Sequence, residues 1–198
     1  EAGAAVAVHG LAPVVRPDWA AAAFEGDVGD AQATEKLARD AEAALGGIDI
    51  LVLNASIEFR QAWDAIDDAS LARQLAVNMD GPYRLIRALV PPMAARGWGR
   101  VIALGSVQEL RPHPQMLIYA ATKAAQTNMM ANLARQLGGQ GVTCNVIAPG
   151  AIATGRNAAV LADPAYRAQV AARIPVGRIG EADDCVGAAL LLCSGIGA

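Results

Sequence analysis

Several things are scarce in this 198-residue chain, and each scarcity removes a class of protein. Aromatic residues make up 4% of it, although 54% is hydrophobic. A core built mainly from Ala, Val and Leu suits helices packed closely on a sheet, and that much apolar residue is not the composition of a disordered chain. There are three cysteines, Cys144, Cys185 and Cys193, an odd number without CxxC spacing. That pattern argues against a disulfide framework and a zinc site, and fits buried thiols in a reducing cytosol. The two histidines, His9 and His113, lie far apart with no acidic or cysteine cluster beside them, so no metal is expected. Sixteen basic residues nearly balance nineteen acidic ones and are scattered, which leaves no stripe for a nucleic-acid backbone. The longest apolar runs, such as residues 187–194, fall far short of a membrane span. The apolar start after Glu1 has no basic leader and reads as a strand, not a signal peptide.

What is present alternates. Near-continuous apolar runs at residues 4–8, 20–28, 48–56, 100–106 and 142–149 read as strands, and runs of that kind suit parallel strands covered on both faces. Between them lie helical patterns. Asp30 is a plausible N-cap for residues 31–45, whose apolar stripe is Leu37, Ala38, Ala41, Ala44 and Leu45, and Gly46-Gly47 ends that helix. Asp68 or Ser70 caps a long helix towards Arg96, with Pro82 loosening it and Pro91-Pro92 kinking or interrupting it. Residues 120–137 form the next helix. A short one starts at Asp163-Pro164, and the last starts at Glu181 or Asp183. Strands alternating with helices of this length predict one α/β domain over residues 1–198, a doubly wound parallel sheet with helices on both faces. The chain starts at Glu1 inside a strand-like run and stops just after a helix, so the domain is expected to be truncated at both ends.

In a doubly wound sheet, ligands bind beyond the carboxyl ends of the strands. Those ends hold Asp27, Asn54-Ala55-Ser56, Gly105-Ser106 and Pro149-Gly150. Tyr119 follows Ser106 at the start of the next helix, and Lys123 lies four residues on, on the same helical face. An ammonium beside a phenol favours the phenolate and draws its pKa below the ordinary value of about 10. Such a phenol can act as general acid or base. Asn78, in the helix before the Ser106 strand, is a further polar group able to face this rim.

Taken in order, Asp27-Val28, Asn54-Ala55-Ser56, Asn78, Ser106, Tyr119-Ala-Ala-Thr-Lys123, residues 145–154 and residues 175–184 resemble the short-chain dehydrogenase/reductase family, whose fold is Rossmann-like. The resemblance implies hydride transfer between a nicotinamide cofactor and a small alcohol or carbonyl substrate. Tyr119 would be the acid/base. Lys123 would lower its pKa and bind the nicotinamide ribose, Ser106 would polarise the substrate oxygen, and Asn78 would anchor a water leading from Lys123 to solvent. Asp27 and Val28 would contact the adenine, and Asn54, Ala55 and Ser56 would line the adenosine-ribose side. Pro149, Gly150, Ile152 and Thr154 would frame the nicotinamide. A homodimer or homotetramer in the cytoplasm is implied, with residues between Thr154 and Ile174 as the substrate lid.

Three departures stand out. The family's glycine-rich phosphate loop does not occur in these 198 residues, Leu53 replaces the first Asn of its Asn-Asn-Ala-Gly pattern, and Ser56 replaces the Gly. Where the second strand ends, His9-Gly10-Leu11 offers neither an acid for a ribose hydroxyl nor an immediate arginine for a 2′-phosphate, and the reading leans towards NAD over NADP. The missing loop keeps open a non-catalytic binding or dimer-forming module. A Ser106/Lys123 hydrolase is weaker, because the nucleophile-elbow pattern lacks its second glycine.

Overall fold

The computed structural model describes residues 3–197. In chain order its strands and α-helices are β1 (Ala7–Gly10), β2 (Ala22–Glu25), α1 (Ala31–Leu45), β3 (Ile50–Leu53), α2 (Asp68–Leu75), α3 (Gly81–Arg96), β4 (Gly99–Leu104), α4 (Leu117–Leu137), β5 (Val142–Ile147), α5 (Ala158–Leu161), α6 (Pro164–Ala171) and α7 (Val186–Cys193). Local chemistry sets several of these limits. Asp30 accepts from the Ala33 N–H to start α1, and Gly46 ends it in the left-handed region at φ 73°. Asp67, not Asp68 or Ser70, caps α2 by accepting from the Ser70 N–H. Pro164 occupies the first turn of α6 behind the Asp163 cap, where its missing N–H costs nothing.

The prolines act differently from expectation. A π-helical turn, Ala76–Asp80, lies between α2 and α3, and the Gly81 N–H reaches back five residues to the Ala76 carbonyl. Pro82 therefore stands in the first turn of α3, where it breaks nothing. Pro91 and Pro92 lie inside α3, which continues to Arg96. Leu89, Val90 and Met93 are buried on either side of that pair, and their packing holds the helix where local preference would end it.

All strand pairs are parallel, but the strands form two sheets: β1-β2, with Ala7 opposite Ala22, and β3-β4-β5. The strand expected at residues 4–8 lies later, because its ladder with β2 runs from Ala7 to Gly10. Alternate residues of the second sheet (Leu51, Leu53, Val101, Ala103, Val142 and Cys144) pack with Ile86, Leu89, Val90 and Met93 of α3 and Met130 of α4 in the main core. On the other face, Arg100 donates to the Ser194 carbonyl just beyond α7 and stacks on Trp98 at 4.4 Å. Over β3, Val52 is 50% exposed among the described residues.

Candidate active site

The segments that follow β2, β3, β4 and β5 carry the polar groups singled out by sequence. After β2, the Asp27 carboxylate pairs with Arg73 of α2 at 2.7 Å and accepts from the Gly29 N–H at 2.8 Å. Burial works against its charge, but Arg73 and Gly29 prevail and hold the carboxyl below its usual range. Val28 follows, buried, with its carbonyl accepting from the Thr34 hydroxyl. After β3, Asn54 and Ala55 are exposed, and the Ser56 carbonyl accepts from Arg156 at 2.5 Å.

Ser106 begins a short turn after β4. Its N–H donates to Glu109 Oε1 at 2.8 Å, and its Oγ accepts from the Gln108 N–H at 3.2 Å. With that lone pair taken, the hydroxyl proton is free to be donated. Tyr119 stands in the first turn of α4, where the nearby Ser106 hydroxyl and Arg156 guanidinium both favour the ionised form of its phenol. Beyond β5, Pro149 accepts from the Val107 N–H at 3.0 Å, which ties this segment to the Ser106 turn. Ile152 bridges to Gly180 and accepts from Asn157, while Gly150 and Thr154 are exposed. Ser106, Tyr119 and the Pro149–Thr154 segment thus line one rim.

Lys123 corrects one expectation. Its Nζ donates to the Leu104 carbonyl at 2.6 Å and to Gln126 Oε1 at 3.0 Å, and it stands 5.8 Å from the Tyr119 ring centre. The ammonium lies beside the phenol ring and is bonded elsewhere. Burial dominates at Tyr119 and raises its pKa. Ser106 and Arg156 oppose that rise, and Glu58 adds to it. The expected fall of the phenol's pKa is absent from this geometry. The Ser106/Lys123 hydrolase loses its footing as well, since neither acceptor of the lysine is Ser106.

Lys123 itself titrates low, at about 8, because burial disfavours the ammonium and Arg156 repels it, while Glu109 pulls the other way. Its ordinary value is 10.5. Between those two values the unfolded chain holds a proton that the native protein has released, so this group makes stability rise with pH. Below pH 8 both states are protonated, and the native state carries the whole cost of burying the charge. We expect the wild type to gain about 1 kcal/mol on a Lys123→Met variant between pH 8 and pH 9, read by urea unfolding. A difference that stays flat across that interval would rule out a buried, titrating ammonium.

Asn78 is fully buried in the π turn. It exchanges hydrogen bonds with the Ile57 backbone, both at 2.9 Å, and donates to the Thr122 hydroxyl. Its side chain thereby clamps the loop after β3 to α4. Sequence reasoning missed Gln126, Glu109, Arg156 and Glu58. Two of these had a signal: Ser106-x-x-Glu109 is a capping box, and Gln126 stands three residues beyond Lys123 on the same face of α4. Among the described residues no group of three or more His, Cys, Asp or Glu gathers to hold a metal, and no helix is long and apolar enough to cross a membrane.

Parallel strands alternating with helices, with Ser106 and Tyr119 on the segments that follow β4, define a Rossmann-like α/β fold. The sequence profile described as Enoyl-(Acyl carrier protein) reductase matches residues 2–197. The L-rhamnose 1-dehydrogenase (NAD(P)(+)) of Azotobacter vinelandii is 35% identical over 176 residues, which are 88% of this chain and 68% of that protein. A 3-oxoacyl (acyl-carrier-protein) reductase from Agrobacterium tumefaciens C58, solved with NADP bound, superposes with a TM-score of 0.89 at 37% identity over 98% of this chain and 79% of that one. A gluconate 5-dehydrogenase from Burkholderia cenocepacia J2315, in complex with NADP and tartrate, gives 0.87 at 31% identity, covering 97% and 79%. The chain belongs to the short-chain dehydrogenase/reductase family, whose chemistry is NAD(P)-dependent oxidoreduction. It spans 60–70% of the length of the curated relatives it matches.

Proposed function

We propose that this chain carries the catalytic part of an oxidoreductase acting on a small alcohol or carbonyl compound, with Tyr119 as acid/base and Ser106 as donor to the substrate oxygen. The observation that carries the reading is the buried Lys123 ammonium 5.8 Å from the Tyr119 ring centre, at the start of the helix that follows the Ser106 turn. A bound nicotinamide cofactor supplies the hydride acceptor or donor. The residues fit its two ends. Asp27, Val28, Asn54, Ala55 and Ser56 would hold the adenosine part, where Asn54 and Ala55 are exposed beyond β3. Pro149, Gly150, Ile152 and Thr154 would flank the nicotinamide, and Lys123 would stand behind its ribose. For reduction, Ser106 orients the carbonyl oxygen and the Tyr119 hydroxyl passes its proton to it. For oxidation, the same phenol, once deprotonated, takes the proton back.

Arg16, the arginine nearest in sequence to the end of β1, donates to the Ala20 carbonyl at 2.5 Å. That bond takes one of its five N–H donors, and we keep NAD as the preferred form because no arginine stands immediately beyond β1. A homodimer or homotetramer remains our reading of the assembly, and the three unpaired cysteines support a reducing, cytoplasmic setting. The test is a pair of fluorescence titrations with NADH and NADPH, followed by turnover on a panel of carbonyl compounds. Micromolar binding with turnover on any member supports the reading. Failure to bind either nucleotide would favour a non-catalytic module.

A further inference from the structure

Gln126 is 1% exposed and lies between two groups of the site. Its Oε1 accepts from Lys123 Nζ at 3.0 Å, and its Nε2 donates to the Asn78 backbone carbonyl at 2.5 Å. Both neighbours are as deeply buried as the amide itself. We propose that Gln126 is the positioning residue for Lys123, its side-chain amide forming the direct link from the ammonium to the Asn78 carbonyl.

The chemistry allows one solution here. Lys123 offers only donors and needs an acceptor, while the Asn78 carbonyl offers only lone pairs and needs a donor. An amide has one of each on the same terminal carbon, so a single orientation satisfies both. A leucine would satisfy neither. A carboxylate would satisfy the lysine and face the carbonyl with like polarity. An asparagine, one methylene shorter, would not span the gap. The resemblance described above places a water between Lys123 and Asn78, and here a side chain fills that link. An amide does not pass a proton along without becoming an imidic acid, so this branch holds the lysine and does not drain it. Proton exchange is left to the Tyr119 side, a consequence that rests on the catalytic reading proposed above.

The other charged groups around Lys123 are accounted for. On its own helix, Tyr119 presents its ring. From the turn after β4, Glu109 acts through space while bonded to the Ser106 N–H and the Thr127 hydroxyl. From the segment after β5, Arg156 repels. From β4 itself the contact is the Leu104 carbonyl. On α2, Arg73 is committed to Asp27. On β5, the Cys144 thiol is held neutral by burial, its pKa pushed up to about 11. Among the described residues, Gln126 is thus the one uncharged side chain that bonds the ammonium directly.

The sequence makes the test clean, because it contains two lysines, Lys36 and Lys123. Lys36 is exposed on α1 and paired with Asp40, so it serves as an internal reference. Protein labelled with 13C at lysine Cε gives two resonances to follow by NMR through an alkaline titration, without any need for turnover. Failure of the oxidoreductase reading would leave this result standing. We expect Gln126→Leu and Gln126→Asn to lower the proton affinity of Lys123 by about tenfold or more, with Lys36 unchanged. Gln126→Glu should raise it above the wild-type value. An unchanged Lys123 midpoint in a folded Gln126→Leu protein overturns the proposal. Should that variant not fold, the Glu variant decides: no rise in the Lys123 midpoint overturns the proposal, and a rise supports it.

Discussion

With Tyr119 as the acid/base proposed above, Tyr119→Phe is expected to lose about 10²–10⁴-fold in kcat, the range that a positioned general acid or base contributes. The substitution removes one oxygen. The ring stays against the Lys123 ammonium, and Ser106 keeps its bonds to Glu109 and Gln108. The fold and the affinity for NADH or NADPH are therefore expected to survive, and the loss to fall on kcat and not on cofactor binding. In the wild type, burial raises the phenol's pKa, so the rate of the oxidative direction should climb with pH as the phenolate forms, and the reductive direction should be favoured at lower pH. Steady-state rates in both directions, from pH 6 to pH 10, test this. Wild-type kcat in the Phe variant would remove Tyr119 from the mechanism.

Met93→Ala has the largest expected effect on stability. Met93 is 0% exposed in α3, among Leu89 and Val90 of its own helix and Val101, Ala103 and Val142 of the sheet. Its side chain also crowds Gly99, where an added Cβ would lie 2.7 Å from the methionine Cβ. Truncation leaves a cavity bordered by a prolined helix and a β-ladder, neither of which collapses readily. A loss of about 2–5 kcal/mol follows, seen as a fall in Tm of roughly 5–15 °C for a domain of this size. Urea denaturation reads the difference, and a loss below about 1 kcal/mol would place the centre of the core elsewhere.

The rim was legible because its residues sit at element boundaries, which sequence marks strongly. Asp30 and Gly46 bracket α1 through capping bonds that only those residue types make. The Ser106 and Tyr119 positions follow from a strand end and a helix start. Interior facts were less visible. Nothing local says that Pro91 and Pro92 continue a helix, since the support comes from α3 residues buried against a sheet distant in sequence. The Tyr119–Lys123 spacing correctly put both on one face, yet it could not show the ammonium turning to Leu104 and Gln126. That choice is made by burial, which leaves the lysine to satisfy whichever carbonyls lie nearby.

The separation of β1-β2 from β3-β4-β5 bears on how the molecule opens. Among the described residues no ladder joins the two sheets, and every residue of β1 is only half-buried, whereas Arg100 to Ala103 of β4 are all buried. Cooperative protection spreads through shared hydrogen bonds and packing, so the two sheets should behave as separate opening units. Amide deuteration would then reach Ala7–Gly10 and Ala22–Glu25 well before Gly99–Leu104 and Val142–Ile147. The adenosine-facing half of the proposed site would breathe while the Ser106–Tyr119 half stays shut.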